Sequence, residues 1–313
     1  MTSAMRETMW RQPTDLTALL ADRAPVEAAA KRVDGKRLWL VGTGTSWHAA
    51  NHSAWFLRAA GVDARPVQGM DAAVYGTGAI EGDGVIVLSH RNTKRFTTEA
   101  GGAARSAGTE ILVIGGRGSP DVDIETTEQE RSAAFTASHL GALMRMAQLA
   151  TLLGADLGEL EAVPAAVEAA LAGPGPGVRS PERLLELTGA GPNQWTAAEG
   201  ALKVRETCWV ATQGLSVEQL LHGPAVALDK RDALVCLDGG GPGADRVEAV
   251  GKAAEQAGVT VYRVSEPALG EQLSVFPLTV AVQRIALELA EELGTNPDNF
   301  RADEHEAWRG VGL

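Results

Sequence analysis

Short apolar runs bounded by glycine and other turn residues recur along the chain, which is the pattern of buried parallel strands. In the first half these runs cover residues 37–46, 84–90 and 109–116, and in the second half 184–193, 232–241 and 259–266. Stretches rich in Ala and Leu lie between the runs and predict helices. This alternation of strand and helix predicts parallel sheets that are covered by helices on both faces.

The same order of elements occurs twice, with corresponding positions 147 to 149 residues apart. Gly44 corresponds to Gly191 in this repeat, and Leu88 corresponds to Cys236. The repeat predicts an α/β protein with two doubly wound parallel-sheet subdomains in tandem. We place N-terminal capping helices in residues 1–34, with Thr14 as an N-cap, the first subdomain in 35–172, and the second with its C-terminal tail in 173–313. The stretch 171–182, dense in Gly and Pro, marks the boundary.

Composition narrows the class of protein. The 313 residues carry a formal net charge of −12, which argues against nucleic acid as a partner, since such binding needs a basic surface. The only two cysteines, Cys208 and Cys236, lack metal-ligand spacing and favour a reducing compartment. The N-terminus lacks a signal-like apolar region, and no run reaches the ~18 apolar residues of a membrane span. We therefore expect a cytoplasmic protein without a membrane partner.

Three turns of the first half follow predicted strands or open predicted helices, where backbone amides and hydroxyls can bind an anion. They read "GTGTSWHAA", "SHRNTKRFT" and "EQERSAAFTASH", the last with Ser132 near the start of a later helix. Any one hydroxyl can be a simple helix cap. Together, and with cations in one turn of an acidic protein, they predict a phosphate or similar anion. The candidate residues are Gly44, Thr45, Ser46, Ser89, His90, Arg91, Asn92, Thr93, Lys94 and Ser132.

The stretch "GAGPNQWTAAEGALKVRE" predicts a glycine turn followed by a helix. Glu199, Lys203 and Glu206 fall within an arc of roughly 60° on that helix. The arc borders an apolar stripe formed by Trp195, Leu202 and Trp209. Charges in this position are at least partly covered, and their pKa values are open to tuning by neighbours. A solvated face with ordinary Glu–Lys pairs is the alternative.

These motifs, continued by "TCWVATQGLSVEQLLHGPAVALD" and the tail "GTNPDNFR", resemble the tandem SIS (sugar isomerase) domain family over about residues 35–305. The second half is similar to the isomerase domain of glucosamine-6-phosphate synthase. "GTGTSWHA" and, more loosely, "ERSAAFT" match the family in the first half. The resemblance implies two flavodoxin-like SIS subdomains and an active site shared between the subunits of a homodimer.

The resemblance also implies roles for individual residues. Glu206 matches the glutamate that moves a proton between C1 and C2 of the open-chain sugar phosphate, and Lys203 matches the lysine that assists at the hydroxyls. His222 matches a histidine that opens the sugar ring from the neighbouring subunit. Glu199 matches a second glutamate of the same helix. Four residues match positions around the phosphate: Thr45, Ser46, Ser89 and Ser132.

Three departures from the family limit what the resemblance implies. The chain begins MTSAM without a nearby cysteine, so we expect no glutaminase half. The family's second phosphate loop, Ser-x-Ser-Gly-Glu-Thr, becomes "SHRNTK", in which cations replace hydroxyl positions. The family's tail lysine becomes His305, which cannot form the same Schiff base but can transfer protons near neutral pH.

We therefore expect an aldose–ketose isomerase acting on a sugar phosphate or amino-sugar phosphate, without metal or organic cofactor. Coupled loss or gain of ammonia at C2 is left open, as are the identity of the sugar and the direction of reaction. Two alternatives remain. One is an amino-sugar-phosphate deaminase or deglycase, and the other is a non-catalytic regulator that binds sugar phosphates.

Overall fold

A computed structural model of the chain describes residues 3–301, 304 and 306–311. The chain opens with two helices, α1 (Ala4–Ala21) and α2 (Ala24–Val33). The first backbone amides of α1 donate to the carboxylate of Asp298 at 2.7 and 2.8 Å, so the tail of the chain caps its beginning. Thr14 lies inside α1, and its prediction as an N-cap is wrong because Met5 and Met9 already pack into the core ahead of it.

The first sheet has five parallel strands in the order β2-β1-β3-β4-β5. The strands are β1 (Leu38–Gly42), β2 (Ala64–Gln68), β3 (Gly84–Leu88), β4 (Glu110–Gly115) and β5 (Ile124–Glu125). The helices of this half are α3 (Thr45–Ala59), α4 (Gly69–Val74), α5 (Arg95–Ser106) and α6 (Ala137–Leu152).

The second sheet has four parallel strands in the order β7-β6-β8-β9. The strands are β6 (Leu185–Gly189), β7 (Thr212–Ser216), β8 (Ala233–Asp238) and β9 (Thr260–Ser265). The helices are α7 (Val163–Ala172), α8 (Asn193–Cys208), α9 (Val217–Leu221), α10 (Ala244–Gln256), α11 (Gly270–Leu293) and α12 (Glu306–Arg309). Since both sheets place their second strand outside the first, the predicted tandem of doubly wound parallel sheets is confirmed.

One apolar core runs through both halves. Phe56 of α3 stacks on Phe276 of α11, with ring centroids 6.5 Å apart and planes 3° from parallel. Helix α11 is long and apolar enough to cross a membrane by length and composition, with a mean hydropathy of 1.4 over its most apolar window. That window is 89% buried within the fold, so α11 is a core helix here. The shared core fixes the face of α8 that meets α3.

Candidate active site between the two halves

The three charges of α8 are buried rather than solvated. Glu199 and Lys203 are fully buried, and the side chain of Glu206 is 18% exposed. The Lys203 Nζ lies 2.5 Å from Oε2 of Glu206 and 3.5 Å from Oε1 of Glu199. The alternative of a wet surface with ordinary ion pairs is therefore wrong.

The predicted apolar stripe of α8 is not its most buried side. Trp195 and Leu202 are half-buried, and Trp209 is 40% exposed. Helix α8 ends at Cys208, and Trp209 adopts a left-handed conformation with φ 60°. The charged side of α8 faces α3, because the two halves of the chain pack together at that side. The periodicity of α8 alone does not reveal this packing.

Glu199 links α8 to the start of α3. Its Oε2 lies 2.6 Å from Nδ1 of His48, and its Oε1 accepts a hydrogen bond from the Thr45 hydroxyl at 3.1 Å. Burial alone would raise the pKa of Glu199, but Lys203, His139 and the hydrogen bond from His48 outweigh burial and lower it. Glu199 is therefore an ionised anchor. Sequence reasoning missed His48, although its three-residue spacing from Thr45 puts both on one face of α3.

Glu206 differs from Glu199 in both exposure and proton affinity. Burial raises the pKa of Glu206, and the neighbouring Lys203 opposes this only in part. Burial would lower the pKa of Lys203, but Glu206 and Glu199 raise it, so the ammonium stays charged. A partly exposed carboxyl with a raised pKa is suited to accept and return a proton near neutral pH.

A cleft lies at the carboxyl ends of β1, β3 and β4. Four of the predicted anion-binding residues line it: Thr45, Ser46, Ser89 and His90. Gly44, with φ 58°, forms the N-cap position of α3, and no side chain caps that helix. The helix N-terminus and the hydroxyls around it can therefore receive an anion.

The rest of the second turn lies outside the cleft lining. Asn92 is buried, adopts φ 46° and donates from Nδ2 to the carbonyl of Pro120 at 2.8 Å, which fixes the turn. Arg91 is exposed and lies 5.4 Å from the ring centroid of Phe135, a cleft residue. Thr93 and Lys94 are exposed at the start of α5. Arg91 thus borders the cleft, and neither Arg91 nor Lys94 belongs to its lining.

In the third predicted turn, a carboxylate of the protein itself occupies the first amides of the following helix. Helix α6 begins at Ala137, and its N-terminus already holds the buried carboxylate of Glu130. Glu130 accepts from the backbone amides of Thr136 and Ser138, the latter at 2.8 Å. Ser132 is fully buried, and its hydroxyl lies 3.4 Å from the carbonyl of Pro297. Ser132 thus lies in the turn ahead of α6, near its start as predicted, and sequence reasoning missed Glu130.

Comparison with known proteins agrees with this fold. No protein-family model matches the chain. The chain is 25% identical, over 95% of its length, to a glutamine–fructose-6-phosphate aminotransferase (isomerizing) of Aeropyrum pernix, and the match spans about half (56%) of that relative. Its fold matches that of tagatose-6-phosphate ketose/aldose isomerase from Escherichia coli, with TM-score 0.79, 17% identity and 95% of each chain covered. A glucosamine-6-phosphate deaminase from Thermotoga maritima matches with TM-score 0.78 and 17% identity, over 95% of this chain and 97% of that one.

The resemblance to the tandem SIS family is confirmed. Of the two remaining predicted catalytic residues, the structure describes only His222. His222 follows α9 with its side chain 77% exposed, and its Nε2 is 3.4 Å from Oε2 of Glu218. His305 lies outside the described residues.

The tail motif "GTNPDNFR" runs beside the end of α8. Thr295 donates to the carbonyl of Thr207 at 2.7 Å, and the Arg301 guanidinium lies 4.2 Å from the ring centroid of Trp209. The tail therefore approaches the end of the helix that carries Glu206.

Proposed function

We propose that this SIS chain is an aldose–ketose isomerase for a sugar phosphate or amino-sugar phosphate, with Glu206 as the proton-transfer base. The observation that carries this proposal is the contact of a buried, charged Lys203 with Glu206, a carboxyl that keeps 18% exposure. The names of the similar proteins, an isomerizing aminotransferase, a ketose/aldose isomerase and a deaminase, support the substrate class.

In the proposed reaction the phosphate binds at the N-terminus of α3, next to the hydroxyls of Ser46 and Ser89. The Glu206 carboxylate removes the C2 proton of the open-chain aldose, and the carbonyl oxygen at C1 gains a proton, which gives the enediol. The C2 hydroxyl then loses its proton as the same carboxyl returns one to C1, and the ketose forms. The Lys203 ammonium stabilises negative charge on the intermediate, as fixed cations do in water-poor sites. Glu199 holds Lys203, His48 and Thr45 in place.

Exchange of carbon-bound hydrogen tests this proposal and separates its rivals. The protein is incubated in D2O with fructose 6-phosphate, tagatose 6-phosphate or glucosamine 6-phosphate, and followed by NMR together with an ammonia assay. An isomerase incorporates deuterium and forms the partner sugar without ammonia. Ammonia from glucosamine 6-phosphate identifies a deaminase instead. If a sugar phosphate binds but neither deuterium exchange nor ammonia release is seen, the catalytic proposal is refuted and a non-catalytic regulator is favoured.

We propose further that the site is completed by His222 from a second copy of the chain. Support comes from the exposure of His222 and of the turn after it, where Val226 is 90% exposed. Mixing Glu206→Gln with His222→Asn, each inactive alone, under conditions of subunit exchange tests this arrangement. Recovered turnover in the mixture supports a shared site. A monomeric protein, or a mixture as inactive as its components, contradicts it.

A further inference from the structure

A buried histidine that the proposed reaction does not use lies at the base of the cleft. His139 sits in the first turn of α6, lines the cleft and is 1% exposed. Neither of its ring nitrogens makes a hydrogen bond of normal geometry among the residues that the structure describes, although the backbone of Thr45 is close enough to act on its pKa. Since a buried polar group without a partner is destabilising, the missing partner needs an explanation.

The adjacent His52 cannot supply that partner. The two rings meet edge to face, with centroids 5.7 Å apart and planes at 66°. The Nδ1 of His52 lies 3.0 Å from the carbonyl of His48, and its Nε2 lies 3.0 Å from the Thr196 hydroxyl. Both nitrogens of His52 thus have other polar partners, and His139 packs against the ring of His52.

The charge state of His139 identifies the kind of group it can bind. Burial lowers its pKa to about 4, although Glu199 acts in the opposite direction, so the ring is neutral at neutral pH. A neutral imidazole offers one donor and one acceptor. A sugar hydroxyl offers the same pair, whereas a phosphate at neutral pH offers mainly acceptors.

We infer that His139 hydrogen-bonds a hydroxyl group of the carbohydrate and selects substrates that carry that hydroxyl. This inference rests on the proposed function, in which the phosphate binds at the turns of Ser46 and Ser89. His139 shares the cleft with both serines, and it comes from another helix, α6. It therefore contacts a different part of the ligand.

Three variants separate this role from a structural one. His139→Leu removes both polar nitrogens, and His139→Asn keeps a donor and an acceptor. Met146→Leu, a buried change on the same helix outside the cleft lining, is the matched control. Dissociation constants are measured for inorganic phosphate, for glucose 6-phosphate and for its 2-, 3- and 4-deoxy analogues, and the melting temperature of each ligand-free variant is recorded.

We expect the wild type and the Met146→Leu control to bind one deoxy analogue about tenfold or more weakly than the parent sugar. His139→Leu binds that analogue and the parent equally and binds phosphate as the wild type does, and His139→Asn recovers part of the discrimination. The melting temperature of His139→Leu stays the same or rises, because an unpaired polar group is removed.

Two results would overturn the inference in distinguishable ways. Full discrimination by His139→Leu, or a large loss of its stability without ligand, refutes the role of His139 while leaving the proposed function intact. If the wild type binds no hexose phosphate at all and also fails the exchange assay, the proposed function falls and this inference falls with it.

Discussion

The Nζ of Lys203 lies 2.5 Å from Oε2 of Glu206, one helical turn along α8. This contact joins the ammonium of Lys203, which is buried from water, to the carboxyl of Glu206, which remains partly exposed to water. The second carboxylate, Glu199, lies 3.5 Å from the same ammonium and is fully buried. The arrangement leaves the protein dependent on the lysine, because without it the buried Glu199 carboxylate loses its ammonium partner and faces Glu206.

Removing Lys203 should therefore cost much more stability than removing an exposed lysine. We expect Lys203→Met to lower the free energy of unfolding by about 3–5 kcal/mol, the usual effect of leaving a buried charge unpaired. Lys252→Met is the control, since Lys252 has a side chain that is 65% exposed and lies 3.4 Å from Glu248. Urea denaturation at pH 7 measures both. Similar losses in the two variants would contradict the burial of this charge pair.

Glu186 should make stability fall as pH rises. It is fully buried in β6, its carboxyl has no hydrogen-bond partner among the described residues, and burial raises its pKa from 4.5 to about 8, with Arg205 opposing. The unfolded chain releases this proton near pH 4.5 while the folded chain keeps it to about pH 8. Its stabilising effect is therefore complete below pH 4.5 and is lost toward pH 8.

Glu186→Gln should remove this dependence. We expect the stability of the variant relative to wild type to increase between pH 5 and pH 8 in urea titrations, because the amide that replaces the carboxyl does not ionise. Glu168→Gln, on the exposed side of α7, should leave the pH slope of stability unchanged. Parallel slopes for wild type and Glu186→Gln would show that Glu186 ionises normally.

The carboxylate of Glu130 should stabilise the start of α6. Because it accepts backbone amides of Thr136 and Ser138, we expect Glu130→Ala to lower the free energy of unfolding by about 1.5–3 kcal/mol, as for hydrogen bonds to a charged group. Glu128→Ala removes an exposed partner of Arg117 and should cost under about 1 kcal/mol. Equal effects of the two substitutions in urea denaturation would contradict the capping role.

Close packing at Gly200 should make that position intolerant of a side chain. A Cβ there would lie 2.8 Å from both Leu187 Cδ2 and Val282 Cβ, so we expect Gly200→Ala to cost about 1–3 kcal/mol. Gly102 in α5 has open space around its would-be Cβ, and Gly102→Ala should stabilise by about 0.5–1 kcal/mol. Thermal unfolding compares the two, and stabilisation by both would refute the close contact of α8 with α11.

The sequence predicted central strands better than edge strands. Every residue of β3 and β6 is buried; β3 (GVIVL) is wholly apolar, and β6 (LELTG) keeps two leucines beside a buried Glu and Thr. Of the edge strands in the described part of the chain, β9 was predicted from its run of β-branched and aromatic residues, whereas β2 (ARPVQ), β5 and β7 (TQGLS) were not, since they lack such a run. The order of the strands, with β2 outside β1 and β7 outside β6, therefore came from the structure and not from the sequence pattern.

Residues of the candidate site were predicted where one segment of the sequence places them. They were missed where their role depends on a partner from a second segment. Thr45, Ser46 and Ser89 lie at strand ends that the pattern itself reveals, and the cleft lining includes all three. His48 and Glu130 acquire their partners only when the chain packs. The partner of His48 is Glu199 in the other half, and the partners of Glu130 are the first backbone amides of α6. A periodic pattern within one helix carries no information on such partners.

The central claim is most directly tested by the turnover and ligand binding of Glu206→Gln. The amide keeps the size of the carboxyl but cannot accept a proton, so turnover should fall by about 10²–10⁴-fold while the dissociation constant of the sugar phosphate changes little. In the wild type, turnover should decline on the acid side at a pH above that of an ordinary glutamate, because burial raises the pKa of Glu206. Turnover near the wild-type rate in Glu206→Gln, or equal loss of binding and turnover, would contradict the account.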